Sequence, residues 1–545
     1  MSANPGRITP VFRPVQREKR APCQVGCAAG GDVRGWIGVV AQRKRNGLSN
    51  AEAYAAAWRM IAEVNPFPAS LGRICPHPCE HHCNRSELDG ALNVNALERF
   101  LGDWAIASGL ELPRIDAAPG DPWIGVVGAG PSGLSFAYQM ARRGYRVTVY
   151  ERNEKAGGML RYGIPDYRLP PDVLDAEIRR IEALGVEIRR RTAIGRDVTL
   201  EELREMHAVV YLGIGAQLGR SLGLEGDAGT EDGVLRGADY LARVNRGEAV
   251  GLGRSVVVVG GGNTAVDAAR TARRTGADVT LLYRRGRQEM PAIVSEVDEA
   301  IAEGVRLELL AAPVRIARVA GRPAAVVARR MRLGEPDDSG RRRPVPVPGS
   351  DFSIPADAVI AAVAQKPDWT GLEALGGDGR LSTDAAGAAA DWLWAGGDVL
   401  IPNIAGVAIA HGRRAAETLD ARLRGLPAPL ADDRAGITAE RLFFGFHPER
   451  ERTERPHLTP AESLESPDAE VVLGLSEEEF LSEAGRCLSC GSCFGCQQCW
   501  MYCTPGCFTR VEQSRPGVYY TLSADHCEEC GKCVEVCPCG FLEVI

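Results

Sequence analysis

The seventeen cysteines of this 545-residue chain are confined to two regions near its ends. Five lie between Cys23 and Cys83 and twelve between Cys487 and Cys539, with about 400 cysteine-free residues between them. A disulfide framework needs an oxidising compartment, and the opening MSANPGRITP lacks the apolar stretch of a signal peptide, so a cytoplasmic chain with reduced thiols is expected. Two thiol-rich regions around a cysteine-free middle predict metal sites flanking a separate core. At roughly 150 residues per domain the length predicts three to four domains. There is no apolar run of about 18 residues, so no membrane span is expected. With 64 basic and 71 acidic residues the net charge is −7, which argues against nucleic-acid binding.

The C-terminal spacing is specific. CFGCQQCWMYCT gives Cys493-x2-Cys496-x2-Cys499-x3-Cys503, and CEECGKCVEVCP gives Cys527-x2-Cys530-x2-Cys533-x3-Cys537-Pro538. This is the pattern of bacterial two-cluster ferredoxins, in which the fourth cysteine of each run ligates the other cluster. It predicts one [4Fe–4S] cluster on Cys493, Cys496, Cys499 and Cys537, and another on Cys527, Cys530, Cys533 and Cys503. Zinc ribbons also use CxxC pairs, but seldom eight cysteines at these spacings. Thr504 stands where proline is usual. Cys507 and Cys539 are left over and read as buried thiols.

The middle of the chain repeats one grammar. WIGVVGAG runs from a buried strand into Gly128-Ala129-Gly130-Pro131-Ser132-Gly133, then a helix, then the strand RVTVYE ending in Glu151. Gly128 permits the tight turn, Gly130 lets a pyrophosphate approach the backbone, Gly133 lets helix and strand pack, and Glu151 can accept ribose hydroxyls. SVVVVGGG repeats the opening, with Gly260, Gly262, Asn263, Thr264 and Ala265 at the turn and Tyr283-Arg284-Arg285 where an acid would stand. Arg284 and Arg285 would attract a 2′-phosphate that a carboxylate repels, which favours NADPH, with NADH left open. VIAAVAQKPD (359–368) reads as a strand returning to the first lobe. WLWAGGD (392–398) brings Gly397 and Asp398 to a cofactor's ribityl or phosphate end. Residues 321–350 read as a β-rich insertion, 425–470 as a linker or wrapping segment, and 1–20 as a basic arm. The stripe Tyr54, Trp58 and Ile61 reads as core packing on a helix.

CQVGC (23–27), RICPHPCEHHC (73–83), GAGPSG (128–133), GGMLRYGIPDYRLP (157–170), GGGNTA (260–265), YRRGRQEMP (283–291) and AGGD (395–398) together resemble the glutamate synthase small-subunit family. Its relatives include the N-terminal half of dihydropyrimidine dehydrogenase and the large subunit of bifurcating ferredoxin:NADP oxidoreductases. The likeness spans roughly residues 20–425. It implies FAD in the first lobe, with Gly158 and Met159 running along it, and NADPH in the second. The expected fold is α/β, with two Rossmann-like dinucleotide-binding lobes, an N-terminal helical iron–sulfur domain and a C-terminal ferredoxin-like domain. The expected boundaries are 1–118 (helical domain), 119–220 with 360–425 (FAD), 221–359 (NADPH), 426–484 (linker) and 485–545 (ferredoxin module).

The resemblance also implies an N-terminal cluster on Cys27, Cys75, Cys79 and Cys83, with His77, His81 and His82 as neighbours rather than ligands. The family's second N-terminal cluster draws on an RCxxC segment just before CxxxC. Here QREKRAP holds that place and only Cys23 remains, while EAGRCLSCG (483–491) has the missing form. Cys23, Glu98, Cys487 and Cys490 are therefore the candidate ligands of a fourth cluster, Glu98 standing where the family has Gln or another oxygen ligand. The alternative, three clusters with Cys487 and Cys490 as structural thiols, stays open.

The expected activity is that of an FAD and iron–sulfur NADPH:acceptor oxidoreductase. No general acid or base is nominated, because hydride transfer needs orientation and exclusion of water. Neither a pyrimidine-reducing barrel nor an amidotransferase segment is present, so ferredoxin or a partner oxidoreductase subunit in a hetero-oligomer is expected, with no nucleic acid and no membrane. Two alternatives are a glutamate synthase small subunit serving an amidotransferase, and a non-catalytic iron–sulfur scaffold. The complete first fingerprint argues against the scaffold.

Overall fold

Four-residue apolar runs, IGVV, VTVY and VVYL, are buried along their whole length, as strands of parallel sheets covered on both faces must be. The computed structural model describes residues 13–115, 122–227, 233–376, 381–430 and 432–544. The chain divides into two compact units.

One unit comprises Arg114–Ala428 and Pro456–Leu473. It holds two five-stranded parallel sheets. The first runs Leu393–Ala395, Val209–Leu212, Ile124–Val127, Val147–Tyr150, Glu187–Arg189 in spatial order. The second runs Arg306–Leu309, Asp278–Tyr283, Ser255–Val259, Ala358–Ala361, Val234–Arg236. Ala358–Ala361 therefore does not return to the first lobe. It pairs with Val234–Arg236 and Ser255–Val259, and the chain crosses back only after Gln365–Lys366, which pairs with Leu218–Gly219. An apolar run reports burial and not which of two sheets buries it. The β-rich insertion is a three-stranded antiparallel sheet of Ala311–Val319, Arg322–Pro336 and Arg342–Pro355.

Close packing fixes the first lobe. Helix Ala405–Leu423 lies on helix Pro131–Ala141 so tightly that a Cβ at Gly412 would stand 2.3 Å from the Ser132 carbonyl oxygen. The lobes are tied by Arg168, near the end of the 157–170 segment, which donates to both Asp267 oxygens at 2.8 Å and pairs with Glu296 at 2.9 Å. Within the second lobe, fully buried Arg270 meets Glu299 and Glu303 at 2.7 Å each. Buried charges need such multiple partners to offset desolvation.

The other unit comprises Met1–Pro113, Pro429–Arg455 and Gly474–Ile545. Its helical part begins at helices Val33–Ala41 and Asn50–Ala62, the latter started by a Ser49/Glu52 capping box. Tyr54, Trp58 and Ile61 are buried, as core packing requires. Helices Pro68–Ile74 and Val94–Ala107 cross at Gly72 and Gly102, where a Cβ would lie 2.3 Å from backbone nitrogen in each case. The stretch expected as a linker is largely structural. Helix Glu477–Ala484 has its own capping box and inserts Phe480, fully buried, among Tyr54 and Phe100. Arg452 pairs with Glu80 at 2.8 Å. The expected arm is partly built in as well: Pro14–Gln16 pairs antiparallel with Leu542–Val544, and residues 1–12 lie outside the described residues. No helix among the described residues is long and apolar enough to cross a membrane.

Candidate cofactor sites

The first cradle opens after strand Ile124–Val127. Gly128 has φ +97°, and a Cβ there would lie 2.6 Å from the Gly213 carbonyl oxygen, so only glycine makes this turn. A Cβ at Gly133 would lie 2.0 Å from the Gly128 oxygen. Gly130 differs: its Cβ would meet nothing nearer than Gly158 Cα at 3.7 Å, so the glycine keeps open space at the N-terminus of helix Pro131–Ala141. Open space beside free helix N–H groups fits a pyrophosphate. Ser132 hydrogen-bonds Tyr211 at 2.7 Å. Buried Glu151 accepts from the Ala129 N–H at 2.9 Å and from the Asn153 backbone and side-chain N–H groups at 2.8 Å. A cavity of about 450 Å³ opens over Gly128, Glu151, Asn153, Ala193 and Asp368.

The other end of this cradle is lined by the later motifs. Gly158 has φ +54°, and its Cβ would lie 2.7 Å from Gly130 Cα; Met159 begins the short helix that follows. Gly397, φ +76°, packs on Ser132, and its N–H donates to His411 Nδ1 at 3.1 Å. Asp398 accepts from the Asn403 N–H at 3.1 Å, and burial pushes its carboxyl up to about 6. The residues present fit FAD: an open glycine cradle, a buried carboxylate at the ribose end and a half-buried one at the far end.

In the second lobe, Gly260 packs on the Ala362 oxygen and Gly261 on the Tyr283 ring, while a Cβ at Gly262 would meet nothing nearer than 3.9 Å. Asn263 starts helix Asn263–Arg274 and accepts from the Ile293 N–H at 2.9 Å; Thr264 borders the cavity, and Ala265 is buried beneath it. A cavity of about 650 Å³ spreads over Gly260–Gly262 and reaches Arg284, Arg285 and Arg341. The two predicted arginines behave differently. Arg284 is exposed and makes no hydrogen bond or ion pair among the described residues. Arg285 is buried, donates to the Arg342 carbonyl at 2.8 Å and pairs with Asp337. Its guanidinium is committed to the insertion rather than free for a phosphate.

The ferredoxin-type cysteines lie in two groups. Cys493, Cys496, Cys499 and Cys537 are mutual neighbours, and Cys533 neighbours Cys503, Cys530 and Cys527. Burial, then the neighbouring thiols, pushes Cys499 up to about 12 and Cys533 up to about 11. The Cys507 N–H points at Cys503 Sγ at 3.3 Å. Cys507 and Cys539 are buried, Cys539 Sγ lying 3.9 Å from Cys537 Sγ.

The N-terminal thiols partition otherwise than expected. Cys27, Cys75 and Cys79 gather with Glu98, which accepts from Asn65 at 2.9 Å. Cys83 instead joins Cys23, Cys487 and Cys490 around one small cavity. Cys83 and Glu98 thus exchange places relative to the expectation. Helix Pro78–His81 ends at once, His82 caps it, and Cys83 is extended (φ −68°, ψ 118°), so the four-residue step from Cys79 does not keep Cys83 on the same face. His77, among these thiols, is held down to about 4 by burial. Among the described residues no three His, Cys, Asp or Glu side chains converge tightly enough for a single metal ion. Four ligands spread around one cavity suit a cubane, whose thiolates each reach a different iron.

Two family models match this chain: pyridine nucleotide-disulphide oxidoreductase over residues 123–412, and dihydropyrimidine dehydrogenase domain II, 4Fe-4S cluster, over residues 14–110. The NADP(+)-dependent formate dehydrogenase subunit beta of Moorella thermoacetica is 36% identical over 509 residues, covering 86% of this chain and 70% of the relative. The NADPH-Fe(3+) oxidoreductase subunit beta of Geobacter sulfurreducens is 36% identical, covering 86% and 75%. The glutamate synthase [NADPH] small chain of Halomonas elongata is 34% identical, covering 72% and 86%. The chain belongs to the pyridine nucleotide-disulphide oxidoreductases, in the iron–sulfur group that includes the glutamate synthase small chain. It is an NADPH-dependent flavin oxidoreductase with an N-terminal 4Fe-4S domain. The non-catalytic alternative does not stand.

Proposed function

We propose that the chain exchanges electrons between NADP(H) and a redox protein partner, using one FAD and four iron–sulfur clusters. The ligand sets are Cys27, Cys75, Cys79 and Glu98; Cys23, Cys83, Cys487 and Cys490; Cys493, Cys496, Cys499 and Cys537; and Cys503, Cys527, Cys530 and Cys533. The observation that carries this reading is the convergence of Cys487 and Cys490 with Cys23 and Cys83, from opposite ends of the sequence, around one cavity. Cys487 and Cys490 have no place in the ferredoxin spacing, and this convergence gives them one.

When bound, the flavin links two-electron hydride exchange to one-electron chemistry, and the clusters carry single electrons. The protein's part is to bind and orient. Gly130 leaves room for the pyrophosphate at a helix N-terminus, Gly158 lets its own segment close against Gly130, and Glu151 accepts from ribose hydroxyls. Asp398, half-buried and holding its proton up to about pH 6, faces the far end of the same cradle. Gly262 and the Asn263–Arg274 helix receive the second nucleotide's pyrophosphate.

The partner is read as ferredoxin or a low-potential oxidoreductase subunit. Two relatives are named as beta subunits, and a ferredoxin module suits a redox protein better than an amidotransferase. Trp500, Met501 and Tyr502 are exposed between Cys499 and Cys503, and these residue types are enriched at protein interfaces.

Iron and acid-labile sulfide analysis of the fully reconstituted protein tests the cluster count. Four [4Fe–4S] clusters require about sixteen iron atoms per chain, and Cys487→Ser should remove about four. About twelve in the wild type, unchanged in that variant, would leave Cys487 and Cys490 as structural thiols.

A further inference from the structure

The cavity over Gly260–Gly262 is lined by three arginines, Arg284, Arg285 and Arg341, and by no carboxylate. Two of the three come from the ends of the strand motif expected to read the nucleotide. The third comes from elsewhere. Arg341 sits at the turn between strands Arg322–Pro336 and Arg342–Pro355 of the inserted sheet.

That turn is held in one shape. The Asp337 N–H donates to the Arg341 carbonyl at 2.9 Å and the Gly340 N–H to the Asp337 carbonyl at 2.8 Å, with Gly340 at φ +74°. The Asp337 carboxylate takes the Ser339 N–H on one oxygen at 3.0 Å and the buried Arg285 guanidinium on the other. Arg285 also donates to the Arg342 carbonyl at 2.8 Å. The arginine that sequence pattern assigns to the phosphate therefore grips the turn. Arg341 Nε donates to Ser339 Oγ at 3.0 Å, and its Nη groups make no hydrogen bond among the described residues. Arg284 is likewise unengaged among the described residues. A cavity that offers two guanidinium groups with no ion-pair partner among the described residues, and no acid, is built for an anion, and guanidinium forks match phosphate oxygens in pairs.

We propose that Arg341 is a specificity residue for the 2′-phosphate of NADPH, acting with Arg284, and that the Arg285–Asp337 pair is the positioning device that holds the turn at the cavity. This rests on reading the second lobe as the NADPH site. The inserted sheet then contributes directly to nucleotide choice. A change in the turn would alter NADPH against NADH preference without touching the glycine motif.

The test is calorimetric titration of the purified holoprotein with 2′,5′-ADP and with 5′-ADP, alongside steady-state kinetics with NADPH and NADH. Losing one charge-assisted phosphate contact should weaken 2′,5′-ADP by about tenfold or more in Arg341→Ala, with 5′-ADP unchanged to within about twofold. KM for NADPH should rise in step while kcat and the NADH parameters hold. Arg341→Lys should recover part of the loss, since a point charge replaces the fork. Asp337→Ala, which frees the turn and leaves the cavity lining intact, should lose discrimination to a smaller extent. Equal weakening of both probes in Arg341→Ala, or wild-type discrimination, would overturn the role of Arg341. Wild-type discrimination in Asp337→Ala would overturn the positioning role. If the wild-type protein itself fails to prefer 2′,5′-ADP over 5′-ADP, the NADPH reading of the lobe falls first.

Discussion

The glycines of the first cradle do different physical work, and substitution separates them. A Cβ at Gly133 would lie 2.0 Å from the Gly128 carbonyl oxygen, so even Gly133→Ala should disrupt the strand–helix junction and the fold of the lobe. Gly130 has no such neighbour, its Cβ finding 3.7 Å to Gly158 Cα, and its φ of −87° is open to any residue. Gly130→Val should therefore fold normally and still lose its flavin, because the γ-methyls occupy the space kept for the pyrophosphate. Circular dichroism and the visible flavin absorbance of the purified variant check both halves. A full FAD complement in folded Gly130→Val would overturn the assignment of this cradle. At this scale much was legible in the residues themselves. Glu151 follows its strand and lines the cavity beside Gly128. Arg285 was not legible, because its partner Asp337 lies in an insertion whose turn no local pattern relates to the nucleotide site.

At the scale of elements, the helix Glu477–Ala484 shows why composition misleads. Its surroundings are rich in proline, arginine and acids, which reads as a linker. Phe480 is nonetheless fully buried, edge-on to Tyr54 at 5.2 Å and stacked on Phe100 at 4.0 Å. Leu475 and Ala484 are buried beside it and Leu481 packs against the same core, but a helix of eight residues is too short for its few apolar positions to give a clear periodic signal. Phe480→Ala should cost about 3–5 kcal/mol of the helical unit's stability, as large aromatic truncations in cores do. The thermal midpoint of that unit should fall, whereas a true linker would leave it unchanged. The same limit explains the cysteine partition. The family resemblance placed Cys83 with Cys79, and the end of helix Pro78–His81 turns it toward Cys23 instead. In the two ferredoxin runs, whose spacing is tight and repeated, Cys499 lies by Cys493, Cys496 and Cys537, and Cys533 by Cys503, Cys527 and Cys530. Strands Ala358–Ala361 and Leu393–Ala395 were both visible as apolar runs, but only pairing decides that they belong to different sheets.

At the scale of the molecule, one compact unit is assembled from both ends of the chain. Strand Pro14–Gln16 pairs with Leu542–Val544, Lys19 Nζ donates to the Gly540 carbonyl at 2.9 Å, and buried Arg34 donates to the Cys490 carbonyl at 3.0 Å. Phe480 is buried in the helical core, and the proposed cluster of Cys23, Cys83, Cys487 and Cys490 adds a covalent tie between the same two ends. Metal ligation of this kind adds its binding free energy to the folding of whatever it joins. The connecting stretch 422–430 is exposed, which makes it the preferred place for a protease to cut. A single cut there should leave two fragments that co-elute under native conditions with the full iron content. Cys487→Ser removes the covalent tie and leaves the strand pairing and Phe480. Its cut fragments should therefore stay together in dilute buffer but separate at lower urea concentrations than the cut wild type, each fragment keeping the iron its own thiols hold. If the cut variant and the cut wild type separate at the same urea concentration, no cluster joins the two ends, and hydrogen bonding and packing alone hold the unit closed.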